Sequence, residues 1–190
     1  MKKIVIGTVA LLFLLVGCGQ KKESAEPSKD TTTEALQSTL PVLENANNNT
    51  VVTKTLVLPS DENGVQQTQT ITYKGKHFLT LTIQQKRQVS EDLKNFIAEH
   101  GLEAAKQALK EGEDKDESVQ EVRKIPGFNL ETNLLSETEI ETKTSYDFQV
   151  LDVKKASESK YLKNVGLENL LKNEPEEYIE NRVASGATVQ

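Results

Sequence analysis

The sequence predicts an α+β domain: an antiparallel sheet of about five strands with helices packed on one face. Three observations carry this expectation. Between residues 50 and 90, apolar and Thr-rich segments alternate with period two and are broken by turn clusters. From Ser90 to Ile125 the spacing changes to that of helices, and after Pro126-Gly127 the alternation returns before a last helical stretch at about 157–183. Strands and helices grouped in blocks favour an antiparallel α+β arrangement over a parallel α/β one.

The first strand is expected over Val51–Leu58, dense in Val, Leu and Thr, and ending at the turn cluster Pro59-Ser60-Asp61-Glu62-Asn63-Gly64. Val65, Gln67, Gln69, Ile71 and Tyr73 then alternate with Gln66, Thr68, Thr70 and Thr72, a second strand that turns at Lys74-Gly75-Lys76. The third runs from Phe78 to Val89, with Leu79, Leu81 and Ile83 on one face and Thr80 and Thr82 on the other. Together these make a three-stranded meander.

Ser90 is an N-cap, and Glu91 and Asp92 suit the positive end of the helix that follows. Its inward stripe is Leu93, Phe96 and Ile97. Gly101 after His100 is expected to end it as a Schellman stop, with Leu102 reaching back to Ile97. A second helix follows from Leu102 to about Glu111 with Ala105 and Leu109 inward, and Val119, Val122 and Ile125 mark a third. Phe128, Leu130 and Leu134 resume the strand period. Thr138–Val150 is a long strand in which Ile140, Thr142, Thr144, Tyr146 and Phe148 share a face. In the last block, Tyr161, Leu162 and Val165 group together, as do Leu167, Leu170 and Leu171. Pro175 starts a helix carrying Tyr178, Ile179 and Val183, and residues 184–190 are expected to fray.

The domain thus spans 50–190, long enough for one modest core built from Leu, Ile and Val, since the chain has no Trp. Ahead of it lie two other segments. Residues 1–17 begin Met1-Lys2-Lys3 and continue in an apolar run from Ile4 to Val16, too short for a stable membrane span, and this is the pattern of a secretory signal. Residues 18–49 are rich in Lys, Glu, Ser, Thr and Asn and are expected to form a disordered tether reaching roughly 30 Å. Losing Lys2 and Lys3 with the signal would take the formal charge from −6 to −8. Such an acidic chain is a poor partner for nucleic acid.

Leu15-Val16-Gly17-Cys18 resembles the lipobox of bacterial lipoproteins. That resemblance implies cleavage before Cys18 and a diacylglycerol thioether on its sulfur, with no other cofactor. Cys18 is the chain's single cysteine and has no disulfide partner within it, which fits attachment rather than a bridge. Two acyl chains anchor stably where one does not. The expected address is the outer face of the cell membrane, with the bilayer as one partner.

Thr70-Ile71-Thr72-Tyr73-Lys74-Gly75-Lys76 and Thr138-Glu139-Ile140-Glu141-Thr142-Lys143-Thr144-Ser145-Tyr146-Asp147, behind a lipobox and tether, resemble the YehR-like family of small bacterial lipoproteins over about residues 50–155. The resemblance implies an antiparallel α+β domain and brings no functional residues with it.

Residues able to do chemistry are few. His77 and His100 are the two histidines, and neither has metal-ligand spacing; the first is expected to be solvated and the second to lie at a helix C-terminus. Glu111-Gly112-Glu113-Asp114-Lys115-Asp116-Glu117 lacks the ligand order of a calcium loop and is expected to be a solvated loop. No catalytic residue and no metal ligand is assigned. The expectation is a non-enzymatic surface module binding a protein, peptide or cell-wall component, or an apolar ligand between sheet and helices. Two alternatives stand beside it: a hydrolase of envelope polymers using paired carboxylates, and a purely structural envelope component.

Overall fold

The computed structural model describes residues 50–190. Strand β1 (Val51–Val57), β2 (Gln66–Lys74) and β3 (His77–Gln88) form the meander. Helices α1 (Glu91–His100), α2 (Leu102–Lys115) and α3 (Glu117–Arg123) follow, then β4 (Phe128–Leu134) and β5 (Glu139–Asp147). The remainder holds α4 (Val153–Glu158), α5 (Leu167–Leu170), α6 (Pro175–Ala184) and β6 (Thr188–Val189). All pairings are antiparallel, in the order β4-β5-β3-β2-β1-β6. The α+β class is as expected, with six strands instead of five.

The sixth strand lies in the segment expected to fray. Leu56 pairs with Val189 and Val57 with Thr188, Gln190 N–H donates to Thr55 O, and Ala187 is buried. A local reading sees only small and polar residues there. The free edge of β1 supplies the backbone partners that hold them.

Period two fixes the sheet's two faces. Leu56, Ile71, Leu81, Ile83 and Tyr146 point toward the helices and are fully or nearly fully buried. The opposite face is a ladder of hydroxyls: Thr53 pairs with Thr72 (Oγ1 to Oγ1 3.0 Å), Thr55 with Thr70 (3.3 Å) and Thr82 with Ser145 (3.2 Å). An antiparallel sheet tolerates one such solvated face. The two-residue turn Gly75-Lys76 joins β2 to β3, with Gly75 at φ 55°. Near it the register passes from Thr72↔Thr80 to Tyr73↔Phe78, so Leu79 is the extra residue of a β-bulge. Phe78 is therefore buried in place of Leu79, against the simple alternation.

Helix starts follow their caps. Ser90 Oγ accepts from Leu93 N–H, Asp116 from Ser118 and Val119 N–H, and Asp152 from Lys155 N–H. Gly101 does separate α1 from α2, but at φ 84°, ψ 164° it is extended with positive φ and not left-handed, so the stop is no Schellman motif. Its N–H closes a helical bond to Ile97 O at 2.7 Å, and this same residue is the N-cap of α2.

The acidic run is not a loop. Glu111–Lys115 complete α2, Asp116 caps α3, and Glu117 begins it. Lys110–Asp114 and Lys115–Glu111 pair at i,i+4, and Arg123 reaches back to Glu113 (2.5 Å) and Asp114 (3.5 Å). These pairs neutralise charge that appeared unbalanced in the linear sequence.

After β5, which ends at Asp147 rather than Val150, the chain bends tightly. Gly127 (φ 81°) lies against this bend: a Cβ there would meet Leu151 N at 2.7 Å and Asp147 O at 2.8 Å. Helical structure then starts at Val153, earlier than 157, and residues 160–165 are turns, although Leu162 and Val165 are buried as expected. Phe148 is only half-buried, and Leu171 and Val183 face solvent. Helix α6, with Pro175 in its first turn, is fastened to the sheet by polar bonds. Glu176 accepts from Lys54 Nζ (2.9 Å) and from the Tyr73 hydroxyl, and Lys76 pairs with Glu174 (2.6 Å). Burial opposes the charge of Glu176, but the bonds from Tyr73 and Lys54 outweigh it and hold the carboxyl below its usual pKa.

Candidate functional site

The buried side chains fall into two clusters on the same face of the sheet. The larger joins Leu56, Ile71, Leu81, Ile83 and Tyr146 to α3, α4, α5 and α6. The smaller joins Val89, Leu134 and Ile140 to Ile97 of α1 and Ala105 of α2. Register explains why they are separate. Gln67, Gln85, Thr142 and Thr132 lie side by side across β2, β3, β5 and β4 with the inward parity, as do Gln69 and Thr144 one row away. A polar seam thus crosses the covered face of the sheet where apolar residues would be the ordinary choice.

Arg87 stands in the next row of that seam, beside Ile140 and, beyond it, Leu134. It is partly buried, and its Nε is enclosed without a hydrogen-bond partner among the described residues. No carboxylate of the described residues pairs with it, although the chain carries an excess of acid. Burial pulls its pKa down, countered by the field of Tyr161. The Tyr161 phenol feels the charges of both this guanidinium and the Arg123–Glu113 pair, and it is pushed up to about 12, first by burial and then by the charge of Glu113.

The deeper part of the seam is unevenly satisfied. Gln69 is fully buried; its Oε1 accepts from the Tyr178 hydroxyl at 2.8 Å, and its Nε2 has no partner among the described residues. Thr144 Oγ1 and the Tyr146 hydroxyl share the inward face of β5, both buried and neither with a partner in hydrogen-bond geometry among the described residues. Burial drives the Tyr146 phenol far above its usual pKa, and the Thr144 side chain pulls the other way. Its ring stacks on Phe148 (6.2 Å, 8°) and tilts against Phe128 at 5.3 Å. Unpaired buried polar atoms each carry a cost, and their concentration in one place marks this region out.

The residues singled out in the sequence do not meet here. Leu15, Val16, Gly17 and Cys18 lie outside the described residues, as does the 18–49 tether. His77 is exposed at the β2–β3 turn. His100 closes α1 with its ring 4.6 Å from Phe96 and Nε2 3.7 Å from Glu99. Among the described residues no group of three or more His, Cys, Asp or Glu gathers as metal ligands. No helix of the described residues is long and apolar enough to cross a membrane. The seam itself was open to detection. Gln67 and Gln69 share the parity of Ile71 and Tyr73, Thr142 and Thr144 share that of Ile140 and Tyr146, and continuing the Leu81–Ile83 parity puts Gln85 and Arg87 on the same face.

A protein-family model, described as “-like”, matches residues 51–182, well over half of the chain. The chain belongs to that family. The relationship extends to a protein from Streptococcus pneumoniae TIGR4 with an NMR structure. It is 63% identical, with 87% of this chain and 100% of that chain covered and a TM-score of 0.70. The NMR structure of Escherichia coli YehR is similar at 19% identity, covering 74% of this chain and 91% of that one with a TM-score of 0.47. No curated protein matches the chain. Residues 51–182 contain both hydrophobic clusters except Ala187, and the whole seam, so the family match covers the candidate site.

Proposed function

We propose that this family member is a small lipoprotein of the YehR-like kind, a non-enzymatic binding module anchored through Cys18 on the outer face of the cell membrane. The observation that carries the binding role is the half-buried Arg87 at a seam of Gln and Thr side chains, with no acid among the described residues paired to it. A fold of this size does not keep unmatched polar groups under its helices for stability, because each costs about 1–3 kcal/mol. Recognition of a ligand is a reason to retain such groups.

The non-enzymatic reading has its own support. The acids whose charge reaches Tyr161 already have structural tasks: Glu113 pairs with Arg123, and Asp116 caps α3. The anchor rests on Leu15-Val16-Gly17-Cys18 and on Cys18 being the chain's single cysteine. Two acyl chains on Cys18 and a tether of roughly 30 Å would hold the domain near the bilayer while leaving the seam free.

Two measurements test the two parts. Cys18→Ala in the producing cell should move the protein from the membrane fraction to the soluble fraction or the medium; unchanged membrane retention refutes the anchor. Saturation-transfer NMR against soluble envelope fragments and short peptides should find a ligand whose signal is lost in Arg87→Gln. A panel with no binder, or turnover of any member, refutes the binding-module reading.

A further inference from the structure

We propose that the seam is a receptor for an oxyanion: a carboxylate or phosphate group that docks on Arg87, on a ligand whose neighbouring polar atoms meet the Gln and Thr side chains. This rests on the reading of the domain as a binding module. Three points converge on it. Arg87 brings a fixed positive charge into a protein with excess acid, yet none of the described carboxylates reaches it. A guanidinium is the side chain best shaped to hold two oxygens of one anion. A second arginine, Arg123, is already bound to Glu113 and Asp114, so of these two guanidinium groups Arg87 is the one left to receive a ligand.

The flanking groups define the rest of the ligand. Tyr161 is close enough for its phenol to feel Arg87, and its high pKa keeps the hydroxyl protonated and able to donate. Gln85 and Gln67 are half-buried along the same band, and each amide can both donate and accept. Thr132 adds a half-buried hydroxyl at the β4 end. One charged group beside a row of neutral donors and acceptors fits a ligand with a single anionic end and an amide- or hydroxyl-bearing body. A polyanion would need further free cations.

The test uses the chain from residue 18 onward with Cys18→Ser, labelled with 15N and titrated separately with N-acetylglycine, inorganic phosphate and N-acetylglycinamide. Saturable shifts are expected at Arg87 Nε–H and at the amides of Gln85, Thr142 and Tyr161 with one or both anions. The tighter of the two identifies carboxylate or phosphate as the source of the charge. The uncharged acetylglycinamide should bind weaker by roughly tenfold or more, and so should the better anion to Arg87→Gln. Arg87→Lys keeps the charge without the fork and should fall between the two, which preserves the test if Arg87→Gln does not fold. Equal binding of the neutral amide, unchanged binding by a folded Arg87→Gln, or no saturable shift at Arg87 with either anion would overturn the proposal. In those cases binding found in the envelope-fragment panel would leave the module reading standing, and its absence there would remove both.

Discussion

The bond between Tyr178 and Gln69 allows a sharp test of how α6 is held to the sheet. Gln69 is fully buried on β2, and its one partner is the Tyr178 hydroxyl at 2.8 Å. Tyr178→Phe removes that donor and leaves a buried amide wholly unpaired. The expected loss is about 1–3 kcal/mol, the cost of an orphaned polar group rather than of a bond exchanged with water. The aromatic packing survives, since the ring keeps its edge contact with Phe78 at 5.9 Å and Arg182 stays 4.9 Å above it. Gln69→Met orphans the Tyr178 hydroxyl but also removes the unpaired Nε2, so its net loss should be smaller, about 1 kcal/mol. The double variant leaves neither group unsatisfied and should be as stable as the parent or more so. Urea unfolding of all four proteins gives the coupling, expected at about 2 kcal/mol or more in favour of the double variant. Losses that add within about 0.5 kcal/mol would refute the account.

Three further outcomes are expected. Tyr146→Phe should raise stability by about 1 kcal/mol, because it deletes a buried hydroxyl without a partner and leaves a void of only ~10 Å³; a lower thermal midpoint would contradict this. Tyr146 and Tyr161 both have folded-state pKa values raised by burial. Their contribution to stability is therefore complete below the unfolded value near 10 and is lost as pH rises toward 12 and beyond, and alkaline circular-dichroism titration should show the loss shifted upward in Tyr146→Phe. Gly127→Ala should cost about 2–3 kcal/mol by chemical denaturation, from positive φ together with the clash at Leu151 N and Asp147 O. Asp116→Ala should cost about 1 kcal/mol. The Ser118 bond, ahead of an opposing burial effect, holds the Asp116 pKa low, so its contribution is present above the unfolded value and lost as pH falls through the folded one; the wild-type advantage should vanish in acid.

Local chemistry made much of the fold legible. The meander, the Ser90 cap, the short helix over Val119 and Val122, and Pro175 in the first turn of α6 depend on neighbours a few residues apart. What escaped depends on distant partners. Thr188 and Val189 become a strand only because β1 has a free edge, and the acidic segment joins α2 and α3 only because Arg123 and the lysines balance it. Leu79 was assigned inward because a period-two reading cannot foresee a one-residue bulge. The seam was missed for another reason. Its residues lie on four strands, and each polar residue alone looks like an ordinary surface position; their alignment across the sheet gives them meaning.

The short pairing of β6 also bears on how the domain resists force. A pull on the chain ahead of residue 50 enters at Val51, beside Lys74 and the β2–β3 turn, and loads the β1–β2 bonds one pair at a time from that end. Such a zipper opens at low force until the pull reaches Leu56 and Val57, which are gripped on both sides, by Gln69 and Thr68 of β2 and by Val189 and Thr188 of β6. The lock sits at the far end of the strand from the load. The first residues of β1 can therefore yield like a spring, while Leu56 and the fully buried Gln69 beside it remain in place.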